Sequence, residues 1–509
     1  MGKNWNAQRS QARLATRYAE VETVSIVDYT KDTSLENIPV NKAYKMHAAH
    51  LYVDILNLRD MLHVTKDEGE TCHKRTLRFL NLHYRAVHRI LSETDARRVD
   101  FHNQRLHGVV AKPYGTDSER RRVERAVAIA QLIIDVLKET GDSDDKIPNA
   151  EVRVGIDTGT ALAVNNGRRG GREPLFLGRP ANQAAKTAGH EPLTGIYLTN
   201  EARTAIGLKA LDGDTHRTTA LTTAQIEACV AAAKLDVSKD DIVEAWKDEQ
   251  KNTPIGSVGF SRPTPPLRDL DIQALSLANS KRFEAVSVYA DIDGFSAYVE
   301  NNIEDDPEDV VRALHVLRSE LDHVVSDDFE GRRVRFIGDC IHGALLDGTA
   351  YTTYTEETIS NAVLCAGGLR SGFSEAKKFL KEKKVVLDDL GLAIGFEFGP
   401  LSISRLGMKG DMVRCAVGRN VLNSETEQAR CDGTETAIGE EAFDNGSDAV
   451  RELFEDDRIV ANLDYDSAVT GLAASDDKTA KAAQANAYRA AIPAVVPNLS
   501  EPLRPHAQR

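Results

Sequence analysis

The chain lacks any run of 18 apolar residues, so we expect no segment of it to span a membrane. Its N-terminal stretch lacks the apolar core of a signal peptide, and its six cysteines show neither CxxC spacing nor nearby histidine pairs. We therefore expect reduced thiols in a cytosolic protein rather than disulfides or a zinc site. Excess positive charge is also absent. The net charge of -14 excludes a nucleic-acid binder that works through a general basic surface.

The 509 residues are too many for a single hydrophobic core, so two or three domains are expected. The order of strand-like and helix-like patterns predicts a divergent internal repeat, with β-α-β-β-α-β order in residues 44–205 and again in 281–455. Between the repeats, 206–280 is predicted to be helical and to end in a proline-rich linker. We expect 1–43 to be a loosely packed N-terminal leader and 456–509 to be a C-terminal tail. The predicted fold class is α+β, with two tandem ferredoxin-like domains.

Two aspartates of the second repeat are the clearest sign of chemistry. Asp291 ends the predicted strand "VSVYAD", and Asp339 lies in the hairpin "IGDC". In a β-α-β-β unit the first strand lies beside the hairpin, so both carboxylates can converge on one point, with the main-chain carbonyl of Ile292 as a third oxygen ligand. Hard oxygen ligands of this kind suit Mg²⁺ or Mn²⁺ bound together with substrate phosphates.

Taken alone, Asp291 could simply cap a helix, or it could belong to a fragment of an EF-hand loop. The remaining EF-hand ligands are missing, however, and the companion hairpin aspartate favours a metal site. Asp293 is expected to be a solvated or capping residue. Phe295 and Ser296 begin the next predicted helix, whose free N–H groups favour phosphate oxygens, so Phe295 is a candidate for substrate binding.

These segments resemble the class III nucleotidyl cyclase family. The stretches "YADIDGF", "FIGDC" and "GLAIGFEFGP…GDMVRCAVGRNV" follow the family order F-A-D-I-x-G-F-[ST], then I-G-D, then a later glycine-led motif. The likeness covers most of the second repeat and, more weakly, most of the first. It implies head-to-tail pairs of domains that share each active site. One domain supplies aspartates for two divalent ions, and the other supplies base-recognition residues, an Asn that orients the ribose and an Arg for the transition state.

Comparison of the two repeats with that pattern implies that each has lost a different half of the site. In the first repeat Asp54 keeps the first aspartate, but "RLHGVVA" puts Val109 where the second is expected. In the second repeat Leu422 and Thr426 take the places of the family's Asn and Arg. The complementary losses predict a pseudo-heterodimer with one working site.

The first repeat supplies the other half of that predicted site. After Gly178, Asn182 falls at the family's Asn position and Lys186 at its Arg position, one helical turn further along the same face. Lysine keeps a cation for the phosphate but loses the bidentate geometry of arginine. For both residues an ordinary solvated helix face is the alternative.

The residues at the family's base-recognition positions do not match the adenine pattern. Arg105, three residues before Gly108, occupies the first position, and Leu175 occupies the second. Arginine only donates hydrogen bonds, which suits the carbonyl oxygens of uracil, cytosine or guanine, although a structural ion pair would also explain it. Lys409 and Arg405 lie in a loop where family members carry a phosphate-binding Arg, and surface charge is the alternative for both.

A chain of this kind resembles the pyrimidine cyclases of bacterial Pycsar anti-phage defence. That resemblance implies cyclisation of UTP, or with less support CTP, to a 3′,5′-cyclic monophosphate that acts on a separate effector protein. The alternatives are an adenylate or guanylate cyclase with unusual base contacts and a catalytically silent nucleotide-binding regulator. A GGDEF-type diguanylate cyclase is disfavoured because the hairpin reads "IGDC". The expected partners are a nucleoside triphosphate and, if the repeats pair between chains, a second copy.

Overall fold

The structure is a computed structural model that describes residues 3–63, 68–142, 146–167, 174–252, 257–408 and 412–491. Each repeat forms one mixed β-sheet. The first sheet contains β1 (Ser25–Asp28), β2 (Lys42–Ile55), β3 (Arg97–His102), β4 (Arg105–Val110), β5 (Val152–Val164), β6 (Leu175–Leu177) and β7 (Gly195–Leu198). The second contains β8 (Phe260–Ser261), β9 (Ser280–Asp291), β10 (Arg332–Ile337), β11 (Cys340–Leu345), β12 (Ala393–Leu406), β13 (Val413–Val417), β14 (Glu435–Ile438) and β15 (Ile459–Ala461).

The two sheets share one strand order. The first runs β3-β4-β2-β5-β6, and the second runs β10-β11-β9-β12 before continuing to β14 and β15. In both, the long central strand pairs antiparallel with a hairpin on one side and with a long strand on the other. The central strands are mostly buried over the residues that lead to their aspartates.

The helices cover these sheets and fill the segment between the repeats. In the first half of the chain they are α1 (Ala7–Ala19), α2 (Leu58–His63), α3 (Glu70–Glu93), α4 (Glu119–Leu137), α5 (Arg179–Ala188), α6 (Asn200–Ala205), α7 (Thr215–Thr218), α8 (Thr223–Ala233) and α9 (Lys239–Lys251). In the second half they are α10 (Phe295–Asn302), α11 (Pro307–His323), α12 (Thr355–Glu382), α13 (Arg419–Ala429), α14 (Glu440–Asp444), α15 (Asp448–Phe454), α16 (Tyr465–Ala474) and α17 (Lys478–Ala491). Among the described residues, no helix is long and apolar enough to cross a membrane.

Each repeat inserts the end of its long hairpin into the hydrophobic core of the other. The residues of β5 and β6 that pack in the core of the second repeat are Leu162, Val164 and Leu177. The residues around β12 and β13 that pack in the core of the first repeat are Leu406, Val413, Cys415 and Val417. The two sheets are thus held together by buried apolar surface from both repeats.

The prediction of a loosely packed N-terminal leader is wrong for α1, which packs against α11 and α12. Its Leu14 is fully buried, and the ring of Tyr18 packs edge-on against Phe379 of α12. Ion pairs add to this attachment, because the Arg13 guanidinium lies 2.7 Å from Glu320 and 2.9 Å from Asp328, and both carboxylates are buried. Periodicity of apolar residues could not reveal this kind of contact. The C-terminal tail is likewise packed as far as α17, through α16 and α12.

Replacing Arg13 with Ala is therefore expected to lower the Tm of the protein by several degrees. The change leaves the buried Glu320 without its guanidinium partner, at a cost on the order of 3 kcal/mol. The control is Lys381→Ala, which removes a cation from an exposed ion pair with Asp388 and should change the Tm little. Equal Tm values for the two variants in thermal unfolding would contradict the structural role of Arg13.

Candidate active site

The two predicted metal-binding aspartates lie side by side. Asp291 is the last residue of β9, and Asp339 is in the tight turn between β10 and β11, the strand that pairs with β9. Burial, and after it the charge of Asp293, raises the pKa of Asp291 to about 6, although the Cys340 thiol opposes this by hydrogen bonding. Burial and the charge of Asp291 raise the pKa of Asp339 well above its usual range. Each carboxylate thus disfavours the charge of the other.

This arrangement fits a divalent cation, because a cation between the carboxylates would relieve both the burial cost and the repulsion. The main-chain carbonyl of Ile292 accepts the Phe295 N–H at 3.2 Å and keeps a second lone pair for a ligand. Asp293 is exposed, as expected for a solvated residue. Among the described residues, no group of three or more His, Cys, Asp or Glu side chains is placed to hold a metal ion, so a cation here would depend on two carboxylates and other oxygen ligands.

Gly294 turns the chain from β9 into α10. Its φ of 82° lies in the left-handed region, and a Cβ there would come within 3.1 Å of the Asp389 carbonyl. The turn places Phe295 and Ser296 in the first turn of α10, next to the aspartates, with the Phe295 side chain buried. The start of the helix therefore faces the place where a phosphate would meet the metal.

A cavity of about 170 Å³ between the two repeats brings four of the predicted site residues together. Asp339 and Phe295 line it from the second repeat, and Arg105 and Asn182 line it from the first. The Asn182 side-chain amide donates a hydrogen bond to the Ser296 hydroxyl at 3.0 Å, which joins α5 of one repeat to α10 of the other. Other lining residues are Tyr52, Asp100, His102, His107, Asn166, Pro174, Leu175, Phe176 and Val299.

Three of the predicted residues do not line the cavity: Asp291 and Ile292, which lie beside Asp339, and Lys186. Lys186 is exposed on α5, one turn beyond Asn182. Lys409 lies outside the described residues. Gly407, at the start of its loop, contacts α3 of the first repeat, where its N–H donates to the Asn81 side chain at 2.9 Å. In the first repeat, Asn166 and Pro174 between β5 and β6 line the cavity.

The strand register corrects the comparison of the two hairpins. The pairs that close them are His102 with Arg105 and Ile337 with Cys340. The turn residue equivalent to Asp339 is therefore Gln104, whereas Val109 lies inside β4. The first repeat still lacks a second carboxylate at this place, because a glutamine amide carries no charge.

The same register shows that Arg105 does not occupy the predicted base-recognition position, because its equivalent in the second repeat is Cys340. The position three residues before the turn is occupied by Asp100 in the first repeat and by Arg335 in the second. The error came from using Gly108 as the hairpin glycine, when it is the equivalent of Gly343 inside β11.

The dipeptide His-Gly occurs in both hairpins, at 107–108 and at 342–343. Aligning these two copies gives the same correspondence between the hairpins as the strand pairing does. Each of its histidines stacks on the tyrosine two residues before the first aspartate. The ring centroids lie 4.1 Å apart for Tyr52 and His107 and 4.3 Å apart for Tyr289 and His342.

The second repeat has an equivalent of the place that Asn182 and Lys186 occupy in the first, and packed side chains fill it. Leu422, the equivalent of Asn182, packs against Leu62 and Cys72. Thr426 accepts a hydrogen bond from Arg59 at 3.1 Å.

Arg105 forms an ion pair with Glu425 of α13 at 3.1 Å, which adds to this second contact between the repeats. Asp54 is buried there, and burial raises its pKa to about 6. The interface thus has one open composite site and one filled one.

No protein-family model matches the chain. Two curated proteins are similar to it in sequence. A protein named uridylate cyclase from Pseudomonas aeruginosa is 55% identical over 511 residues, covering 100% of this chain and 99% of that protein. A second protein named uridylate cyclase, from a Rhizobium species, is 39% identical over 435 residues, covering 82% of each.

A solved structure is similar over almost the whole chain. It is the crystal structure of a class III adenylyl cyclase-like ATP-binding protein from Pseudomonas aeruginosa, with a TM-score of 0.90 and 57% identity, covering 93% of this chain and 100% of that chain. The prediction of a class III cyclase-like α+β fold is therefore confirmed.

The repulsion between the two aspartates predicts that Asp339→Asn raises the Tm of the metal-free protein at pH 8. The pKa of Asp339 is raised in the folded state, so the folded protein holds this proton more tightly than the unfolded chain does. The free energy of unfolding therefore falls as the pH rises towards the folded pKa. Asparagine cannot ionise, so the gain should be about 1–3 kcal/mol at pH 8 and smaller at pH 5.

The measurement is thermal unfolding in the presence of a chelator at both pH values. Asp305→Asn is the control, because Asp305 is an exposed aspartate between α10 and α11, and it should change the Tm little. A Tm for Asp339→Asn at or below that of the unmodified protein at pH 8 would be evidence against the repulsive pair.

Proposed function

The chain belongs to the uridylate cyclase family and has the class III cyclase fold, and from this premise we propose that it converts UTP into 3′,5′-cyclic UMP and pyrophosphate. The observation that carries the proposal is the cavity in which Asp339 of one repeat and Asn182 of the other face each other. The identity of 55% along the full chain supports uridine as the nucleoside.

In this proposal the two repeats of one chain act as a pseudo-heterodimer. The reciprocal insertion of the two hairpins supports it, because it puts α5 of the first repeat against α10 of the second. The packing at the equivalent place in the second repeat supports a single working site, since Leu422 and Thr426 supply neither the amide of the family's Asn nor the cation of its Arg.

The carboxylates of Asp291 and Asp339, with the Ile292 carbonyl, would hold two divalent ions, Mg²⁺ or Mn²⁺. When bound, such ions neutralise the triphosphate and make the ribose 3′-hydroxyl easier to deprotonate. The buried side chain of Phe295 keeps the start of α10 packed beside these ligands, so that its first N–H groups can face phosphate oxygens.

The remaining groups orient the substrate and meet the charge that develops. Asn182, held by its hydrogen bond to Ser296, would position the ribose so that the 3′-oxygen faces the α-phosphorus. That oxygen bonds to the α-phosphorus as the bond to the bridging oxygen of the β-phosphate breaks, and pyrophosphate leaves with the electron pair. The 3′-hydroxyl proton is released. Lys186 would place a cation near the negative charge on the α-phosphate oxygens.

An adenylate cyclase is the second candidate, because the structurally similar protein is described as ATP-binding. The deciding experiment supplies ATP, GTP, CTP and UTP separately with Mn²⁺ and identifies cyclic products by chromatography. We expect cyclic UMP as the main product, and cyclic AMP as the main product would overturn the proposal. As in the defence systems that the chain resembles, we infer that the cyclic nucleotide acts on a separate effector protein.

Asp291 and Asp54, the first aspartate of each repeat's motif, provide a matched pair of variants. Asp291→Asn should reduce formation of cyclic UMP by about a thousandfold or more, because a metal ligand is lost. Asp54→Asn makes the same change at the equivalent position of the filled place and should leave the rate within about threefold of the unmodified enzyme, since no substrate contact is removed there. Equal losses in a steady-state assay of cyclic UMP would argue against the single composite site.

Lys186 should act through its charge. We expect Lys186→Ala to lower kcat by about 10²-fold with a smaller change in KM, because the cation is needed most when charge develops in the transition state. Lys186→Arg should keep at least a tenth of the activity, on the order expected for a retained cation. A kcat for Lys186→Ala equal to that of the unmodified enzyme would assign Lys186 to the solvated face of α5.

A further inference from the structure

Three alternate residues of β5 contact the helix α5, because every second residue of a strand lies on the same face of the sheet. They are Arg153, Gly155 and Asp157. A Cβ on Gly155 would come within 2.3 Å of the Ala184 carbonyl oxygen of α5, so strand and helix are in close contact there. The arginine and the aspartate on either side of this glycine each contact one end of the helix.

The first turn of α5 is attached through Arg179, the first residue of the helix. The Arg179 guanidinium lies 3.0 Å from the Asp157 carboxylate and donates to the Thr158 carbonyl at 3.2 Å. Asp157 is fully buried and also accepts a hydrogen bond from the Thr199 hydroxyl. The carboxylate is therefore fixed from both sides, and it holds the start of α5 against β5.

The last turn of α5 is attached through Arg153, which is fully buried. Its Nε donates to the Thr187 carbonyl of the helix at 2.9 Å, and its other nitrogens donate to the carbonyls of Leu193 and Arg217 further along the chain. The guanidinium lies 3.5 Å from the centroid of the Tyr197 ring. Arg153 thus satisfies a carbonyl at the C-terminal end of the helix, where a cation is also favourable to the helix dipole.

The apolar contact of α5 with the sheet is made by small side chains. The buried residues of the helix are Pro180, Ala181, Ala184, Thr187 and Ala188. Small side chains interdigitate little with a facing surface, so they give weak resistance to a shift or rotation of the helix. The equivalent helix α13 buries the larger side chains of Val421 and Leu422. The two arginine contacts therefore matter more for the position of α5.

The second repeat differs at both strand positions. By strand register, Ala393 takes the place of Arg153, and Glu397 takes that of Asp157. Glu397 accepts the main-chain N–H of Ala442 in α14 at 2.7 Å, so it attaches a different helix. The arrangement with an arginine at each end thus belongs to the helix that carries the proposed catalytic amide and cation.

We propose that Arg153 and Arg179 are positioning residues that hold α5 at its two ends, and so set the place of Asn182 and Lys186 opposite Asp339. The proposal rests on the proposed function and adds to it the groups that align the two halves of the site. Alignment matters because a displacement of about 1 Å at a reacting centre costs on the order of 10²-fold in rate.

The first test removes the contact at the start of the helix without leaving a buried charge unpaired. The double variant Asp157→Asn/Arg179→Gln replaces the ion pair with two neutral amides, so its Tm should change little. We expect kcat for UTP to fall at least about tenfold with a smaller change in KM, because Asn182 and Lys186 are needed most in the transition state. A kcat within about twofold of that of the unmodified enzyme would overturn the proposal.

The second test asks whether the arginine at the other end acts through Lys186. Arg153→Met keeps the length of the side chain and removes its donors, and it is measured in the unmodified protein and in Lys186→Ala. We expect kcat to fall at least about tenfold in the first background and by a smaller factor in the second, because a displaced helix cannot misplace a cation that is already absent. Equal factors in the two backgrounds would assign Arg153 a structural role only and overturn the proposal.

Arg203→Met provides the matched control. Arg203 is also buried and donates to a main-chain carbonyl, that of Lys209, at 3.0 Å, but it belongs to α6. We expect this variant to lower the Tm, as Arg153→Met does, and to keep kcat within about twofold when all rates are compared below the Tm of each variant. A loss of kcat equal to that of Arg153→Met would count against the proposal.

The inference and the function on which it rests fail in different ways. If the unmodified protein forms no cyclic UMP, the proposed function itself fails. If it forms cyclic UMP and the variants at both ends of α5 keep the kcat of the Arg203 control, only the present inference fails.

Discussion

The reciprocal packing of the two long hairpins is the constraint on which the site depends. The ends of β5 and β6 contribute apolar side chains to the core of the second repeat, and those of β12 and β13 contribute to the core of the first. Separating the repeats would expose these side chains to water, which is unfavourable in proportion to their apolar area. The relative position of α5 and α10, and with it the cavity between Asn182 and Asp339, follows from this contact.

The interface allows the two halves to differ because both halves are encoded in one chain. In a dimer of identical domains each substitution would appear twice, once on each side. Here Leu422 packs against Leu62 on one side, while its equivalent Asn182 binds Ser296 on the other. At the centre, Asp100 faces Arg335, where identical residues would bring like charges together. Divergence has therefore converted a symmetric contact into a directional one.

Much of this arrangement could be predicted from the sequence, because strong local signals carry it. The alternation of strand residues, the aspartate before a glycine turn and the hairpin "IGDC" gave the positions of Asp291 and Asp339 beside each other. The glycine before α5 gave the position of Asn182. The fold class followed from the order of elements and from the resemblance that the motifs carry.

The failures have physical causes as well. Sequence comparison aligns Gly108 with the turn glycine of the second hairpin, although the first turn is formed by Asn103 and Gln104 and contains no glycine. The packing of α1 is not apparent from the sequence, because the ion pairs that add to the burial of Leu14 leave no apolar period. Ion pairs between segments far apart in sequence, such as that of Asp100 with Arg335, cannot be inferred from local patterns.

The covalent connection between the repeats has a consequence for how the composite site behaves on dilution. Two separate domains that shared a site would lose it as their concentration fell below the dissociation constant of the pair. In one chain the intervening segment, which includes α8 and α9, keeps the second domain at an effective concentration that does not depend on how many molecules are present. Under the proposed function, assembly of the site is then a unimolecular event, and dilution of the protein does not change the fraction of molecules in which it forms.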